Sequence, residues 1–277
     1  MTDAAAPVPL PRRERWLLIA SLAGITALAW LYLVVQAGHM TQMSMPPAPQ
    51  TQMQGMEGMD MPAMSPVAPQ LMQWTAVDFL LLFLMWAIMM VGMMLPSATP
   101  MILLFAGVSR SARQQGEQAA PVSVFVLGYL LAWTGFSLVA ALSQWGLERA
   151  ALVSPMMVSV SPWLGGLLLI AAGIYQWSPV KARCLTHCRS PFAFVAGHWR
   201  QGTAGALRMG LHHGFYCLGC CWLLMGLLFV GGVMNLLWVA AIAVFVLIEK
   251  LLPKGLQAGR IGGVVLCLMG LWVIARG

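Results

Sequence analysis

The sequence predicts an all-α polytopic membrane protein, and three observations carry that reading. Of its 277 residues, 60% are hydrophobic and only 8% charged, a balance that belongs to a bilayer-embedded chain and not to a soluble domain. The apolar residues fall into about seven runs separated by short polar segments. The basic residues gather on alternate sides of those runs. With a cytoplasmic N-terminus and seven alternating spans, thirteen of the fifteen Lys and Arg lie inside, leaving Arg149 and Arg276 outside. The opposite orientation inverts that ratio, so the positive-inside rule selects the first. The net charge of +7 therefore reports orientation in a lipid bilayer, and nucleic acid is not an expected partner.

The chain opens on a short tail ending in Arg12-Arg13-Glu14-Arg15, followed by an apolar run from Trp16 to Gln36 that is long enough to cross a bilayer. Val35-Gln36-Ala37 offers the small residues of a secretory cleavage site, but the run is longer than a signal core usually is, which favours a retained anchor. Residues 1–37 thus form a tail and first helix (or signal anchor). Residues 38–73 follow with no Lys or Arg, six prolines and nine methionines. So much proline and polarity cannot build a packed core, so this segment is expected to be a disordered loop on the outer, periplasmic side. Its methionines have no packing role. Thioethers are soft, uncharged ligands that persist in an oxidising compartment and favour Cu(I), and Met53, Met56, Met59 and Met61 are spaced so that several sulfurs can close on one ion. Compositional drift in a linker is the competing explanation.

Residues 74–277 are expected to form a six-helix metal-binding membrane domain. Its first span, Thr75 to Val108, is too long for one straight crossing and is predicted to be one long helix broken at Pro96 and Pro100, either kinked or unwound there. Met85, Met89 and Met93 share one helical face, and Met90, Met94 and Met101 share another about 100° round. Such stripes serve as adaptable packing or as thioether ligands. After a basic loop, Arg110 to Gln118, come spans from Pro121 to Trp145 and from Pro162 to Trp177. The next loop is the longest basic one and is expected in the cytoplasm. It contains Cys184, His187 and Cys188, three ligands at most and in need of a partner group. The span from Leu236 to Ile248 ends at Glu249-Lys250, where the default is interfacial snorkelling; an inward Glu249 would instead serve as ligand or acid/base group. The last span, Ile261 to Ala275, contains Cys267, read as packing.

The fifth span opens with the stretch that organises the rest, Arg208 to Trp222. On a helix, Met209, His213, Cys217, Cys220 and Cys221 fall within an arc of about 120°, while His212 points elsewhere. Free cysteine packs as a small hydrophobe, and Gly210 and Gly214 form a small-xxx-small pair that speaks only of close helix packing. Three cysteines and a histidine on one face, with a thioether, point instead to soft-metal or thiol chemistry. Because the cysteines lie in apolar helices or a cytosolic loop, reduced thiols are the expectation.

Met85-Trp-Ala-Ile-Met-Met-Val-Gly-Met-Met-Leu-Pro-Ser-Ala-Thr-Pro100, Cys184-Leu-Thr-His-Cys-Arg-Ser-Pro191 and Gly210-Leu-His-His-Gly-Phe-Tyr-Cys-Leu-Gly-Cys-Cys-Trp222, followed by Gly231-Gly-Val-Met-Asn235 and Glu249-Lys250, resemble the bacterial family described as predicted metal-binding integral membrane proteins (domain of unknown function, family 2182). The resemblance spans about Trp74 to Ala275 and leaves out the first span and most of the Met-rich loop. It implies metal binding in the bacterial inner membrane and says little about purpose.

Two functions follow. In the first, the protein binds Cu(I), with zinc as the other candidate, for transport, storage or delivery to a partner such as a periplasmic or cytosolic copper carrier or a cuproenzyme. Loop methionines capture the ion, the second span conducts it, and the Cys/His sets hold it toward the cytoplasm. No nucleotide-binding loop or pump motif is present, and catalysis is not expected. In the second, Cys217 and Cys220 exchange disulfides with Cys184 or Cys188, as a redox protein or metalloenzyme assembly factor.

Overall fold

The computed structural model describes residues 10–43, 74–150 and 162–276, which are helical with no strand among them. The helices are α1 (Arg12–Met43), α2 (Ala76–Gln114), α3 (Val122–Arg149), α4 (Pro162–Tyr175), α5 (Pro179–Arg189), α6 (Pro191–His198), α7 (Gly202–Gly226), α8 (Leu228–Gly231), α9 (Leu236–Leu251) and α10 (Gly255–Arg276). Among the described residues five helices are long and apolar enough to cross a membrane: α1, α2, α3, α7 continued by α8, and α10. The bent pair α4 and α5 makes a sixth if it counts as one span. About seven were expected. The helices that fall short are α4 and α9, whose 14 and 16 residues cover about 21 and 24 Å at 1.5 Å per residue, less than the roughly 30 Å of hydrocarbon.

The first helix also outruns its expected end at residue 37, continuing to Met43. Met53, Met56, Met59 and Met61 lie outside the described residues.

The expected break at Pro96 and Pro100 is not an interruption of helix: α2 runs continuously through both prolines. Thr75 starts it with a capping box, Asp78 N–H donating to Thr75 Oγ1 at 3.3 Å and Thr75 N–H to Asp78 Oδ2 at 2.9 Å. Pro96 has no N–H for the carbonyl of Gly92, one turn back. That carbonyl accepts instead from Trp30 Nε1 of α1 at 3.2 Å. A tertiary contact thus meets the helix's lost hydrogen bond, and the proline costs α2 no unpaired carbonyl there.

The break lies elsewhere. α4 and α5 meet at 64°, where Ser178 Oγ caps α5 by accepting from Val180 N–H at 3.2 Å and Pro179 occupies the first turn. The basic segment read as a cytosolic loop is therefore two helices, α5 and α6, and α5 lies against α7.

Glycine sets the closest crossing. A methyl group at Gly210 would collide with the Phe125 carbonyl, and one at Gly128 with the Leu207 carbonyl, so α3 and α7 approach backbone to backbone. Gly214 adds a third such point, against Ala132 and Tyr129. Gly210→Val is expected to destabilise the fold by about 1–3 kcal/mol through overpacking, read as a lowered unfolding temperature in detergent. Gly146→Ala, where nothing lies within 4 Å, should leave that temperature unchanged or slightly raised.

Candidate metal centre

Helix α7 presents Met209, His213 and Cys217 at successive turns, with Cys220 and Cys221 one turn further, and all five are buried to 3% exposure or less. His212 lies on the exposed side. The apolar run of α7 and α8 starts at Gly202 and spans 30 residues, so Cys217 stands about 22 Å along it at 1.5 Å per residue. The cysteines therefore occupy the middle of this run and not its mouth, because α7 begins six residues before Arg208.

The crossing with α3 brings Tyr129 over this face. Its hydroxyl lies 3.1 Å from Cys217 Sγ and 3.1 Å from the Met94 carbonyl of α2, to which it donates. From α9, Lys250 Nζ lies 2.8 Å from Cys217 Sγ and 3.1 Å from Ser97 Oγ of α2. From α5, which lies along α7, Cys188 packs against the core that holds these thiols. The Cys220 and Cys221 thiols both donate to the Cys217 carbonyl, at 3.0 and 2.9 Å. Helices α3 and α9 thus meet α7 at Cys217, with α2 behind Tyr129 and Lys250 and α5 alongside α7. Cys184, one turn before Cys188, packs its sulfur over Gly219. All six cysteines are free thiols.

The methionines of α2 line the neighbouring core: Met85, Met89, Met90, Met93, Met94 and Met101 are each 3% exposed or less. Ser97 and the Met94 carbonyl touch Lys250 and Tyr129, so the face bearing Met90, Met94 and Met101 looks toward the thiols. His213 is ringed by Tyr129, Phe125 and Phe194, with centroids at 5.7, 6.2 and 5.4 Å. Its Nδ1 is buried without a hydrogen-bond partner. An orphaned imidazole nitrogen one turn from a thiol, beside thioethers, is a donor set that fits a soft monovalent metal.

The sites foreseen are not all brought together. Among the described residues no three His, Cys, Asp or Glu side chains stand in a ready metal-binding arrangement. In this state the thiols of Cys220 and Cys221 are engaged with a carbonyl, and Lys250 sits against Cys217. His187 stacks its ring on Tyr216 at 4.2 Å, and its Nδ1 donates to the Arg183 carbonyl at 2.9 Å, which leaves Nε2 open.

Glu249 and Lys250 do not snorkel. Both turn inward, 1% and 6% exposed, and being about 100° apart on α9 they reach different neighbours. Glu249 accepts from Lys181 Nζ of α5 through both oxygens, at 2.9 and 2.8 Å. Lys181, Lys250 and Tyr129 were missed from sequence. So was Gln144, fully buried between Trp86 Nε1 (2.7 Å) and Glu148 (2.9 Å). The one available signal was a pair of opposite charges ending an otherwise apolar helix.

Searches of curated proteins and of solved structures give no match. A protein-family model, PpoB2, described as a copper chaperone, matches residues 83–273. That range holds the residues placed around Cys217 and leaves out α1.

Proposed function

Because this chain belongs to the PpoB2 family of copper chaperones, we propose that it is a multi-pass protein of the bacterial inner membrane that binds Cu(I) where α2, α3, α5, α7 and α9 meet and hands it to a partner carrier or cuproenzyme. The observation that carries this reading is the burial of His213, Cys217, Cys220 and Cys221 on one face of α7, with α5 packed along that helix and its Cys184 sulfur over Gly219. Cys184 and Cys188 of α5 thereby lie beside the helix that carries the other thiols. Thiol and thioether donors select Cu(I). Zinc would accept the histidine and cysteines, but it gains nothing from the buried methionines. With the N-terminus cytoplasmic, residues 38–73 face the periplasm and Met53, Met56, Met59 and Met61 collect the ion. Met85, Met89, Met90, Met93 and Met94 then lead it to His213 and the thiols. Direction and driving force come from the donor and acceptor, since the chain carries no nucleotide-binding motif.

The test is metal content per chain after anaerobic purification in detergent and loading with Cu(I). Wild type should retain copper, and Cys217→Ser/Cys220→Ser/Cys221→Ser should lose it from this centre. A wild type that binds none sinks the reading. Deleting residues 40–64 should lower copper uptake by cells while the purified variant still binds at the cysteines.

The packing of α5, with Cys184 and Cys188, along the cysteine-bearing α7 also favours a second reading, thiol–disulfide exchange. Under it, Cys220→Ser accumulates a mixed disulfide with a partner, and copper content does not matter.

A further inference from the structure

Between α6 and α7 lies an open cleft of about 510 Å³, whose lining includes His198, Arg200, Arg208, Met209 and His212. We propose that this cleft is a second Cu(I) site, held by His198, His212 and Met209, at which copper is exchanged between a soluble carrier and the buried thiols. The proposal rests on the copper-handling function above and adds the place where the ion passes between protein and solvent.

Three observations carry it. The imidazoles of His198 and His212 stand face to edge, with centroids 4.9 Å apart at 79°, close enough for both to reach one ion. His198 Nδ1 is 3.0 Å from the Phe194 carbonyl. In the neutral ring that bond commits the proton to Nδ1 and leaves the Nε2 lone pair free, the arrangement found behind metal-ligating histidines. Met209 supplies the third donor. It lines the cleft beside His212, three residues on, yet is 1% exposed and stands one turn from His213 and two from Cys217. The thioether thus belongs both to the cleft and to the stripe that leads to the thiols. Turns of about 5.4 Å separate its three members.

The cleft's other residues suit delivery. Arg200 and Arg208 give its rim positive charge, which draws an acidic carrier or an anionic copper–thiolate complex and repels free cations. Two neutral nitrogens and a thioether bind Cu(I) less firmly than thiolates do, as an exchange site requires. His187, stacked on Tyr216, stands nearby but is not needed.

The experiment titrates the full-length protein in detergent with Cu(I) against a chromogenic Cu(I) chelator. It compares wild type, His198→Gln/His212→Gln, Met209→Leu and Cys217→Ser/Cys220→Ser/Cys221→Ser, and follows the unfolding temperature of each. Wild type should hold two copper ions per chain. The histidine variant, altered at positions outside the core, should keep the thiol-bound ion, lose the other and exchange the first with chelator at least about ten-fold more slowly. Met209→Leu preserves volume and should weaken the second ion and slow its exchange with the thiol-bound one. The cysteine variant should keep one ion, with nitrogen and thioether ligands by X-ray absorption. A histidine variant with the full wild-type complement and exchange rate overturns the cleft site and leaves the thiol centre standing. So does one that loses co-purified anionic phospholipid but no copper, which would assign the cleft to a headgroup. If wild type binds no copper, both proposals fall.

Discussion

Glu249→Ala is expected to destabilise the protein by about 3–5 kcal/mol, the usual consequence of removing one partner of a buried ion pair. The pair's side chains are 3% and 2% exposed, and both carboxylate oxygens are engaged by Lys181 Nζ. With the carboxylate gone, a buried ammonium has no counter-charge. Water cannot easily replace it, because α10 closes over the site: a methyl group on Gly259 would lie 2.5 Å from Glu249 Oε1. The loss should appear as a large fall in unfolding temperature in detergent. The double variant Lys181→Met/Glu249→Leu removes both charges and should stand much nearer wild type, since apolar replacement of a whole buried pair is often neutral. An unchanged unfolding temperature in the single variant would mean that the pair is solvated. The pair also ties α5 to α9, one carrying Cys188 and the other Lys250. Its single disruption should therefore loosen the thiol cluster as well as the fold.

How far the sequence reveals this architecture depends on the distance over which each feature is determined. The long apolar helices are local facts of composition and length, and α2, α3 and α10 stand close to where hydropathy puts them. The small-xxx-small pair Gly210/Gly214 is also local, and it marks the α3 crossing. At Pro96 the helix does not unwind, because the carbonyl left by the proline's missing N–H is met from α1, 62 residues away, by an indole that no local pattern points to. The bend that does occur, at Gln176 to Pro179, was hidden because the basic residues around α5 make it resemble a loop. Lys181 is nonetheless buried.

The centre shows the same division. Helical spacing places Met209, His213, Cys217, Cys220 and Cys221 on one face, and all five are buried together. That Cys184 and Cys188 lie beside this helix follows from α5 folding back on α7, which spacing within either segment cannot reveal. Lys250 was misread because position at the end of an apolar run favours snorkelling. Packed against α7, the same lysine finds a thiol at 2.8 Å.

That contact makes Lys250→Met the most direct test of how copper is held. A Cu(I) ion bound by two thiolates carries a net charge of −1, and inside a helix bundle such a charge requires a counter-ion. Lys250, beside Cys217 and braced by Ser97 Oγ, is placed to supply it. Opposite unit charges about 4 Å apart attract by roughly 4 kcal/mol at the effective dielectric of protein sites, and each 1.4 kcal/mol is ten-fold in affinity. Lys250→Met is thus expected to weaken Cu(I) binding by about ten-fold to a thousand-fold, the lower figure reflecting the desolvation that the lysine no longer undergoes. The new thioether is itself a soft donor, but a neutral ligand cannot balance the charge. Lys250→Arg keeps the charge and should stay within about ten-fold of wild type in the same chelator competition. Equal affinity in the methionine variant would mean that the ion is held by a neutral set, His213 with the methionines, and that the thiols serve another purpose.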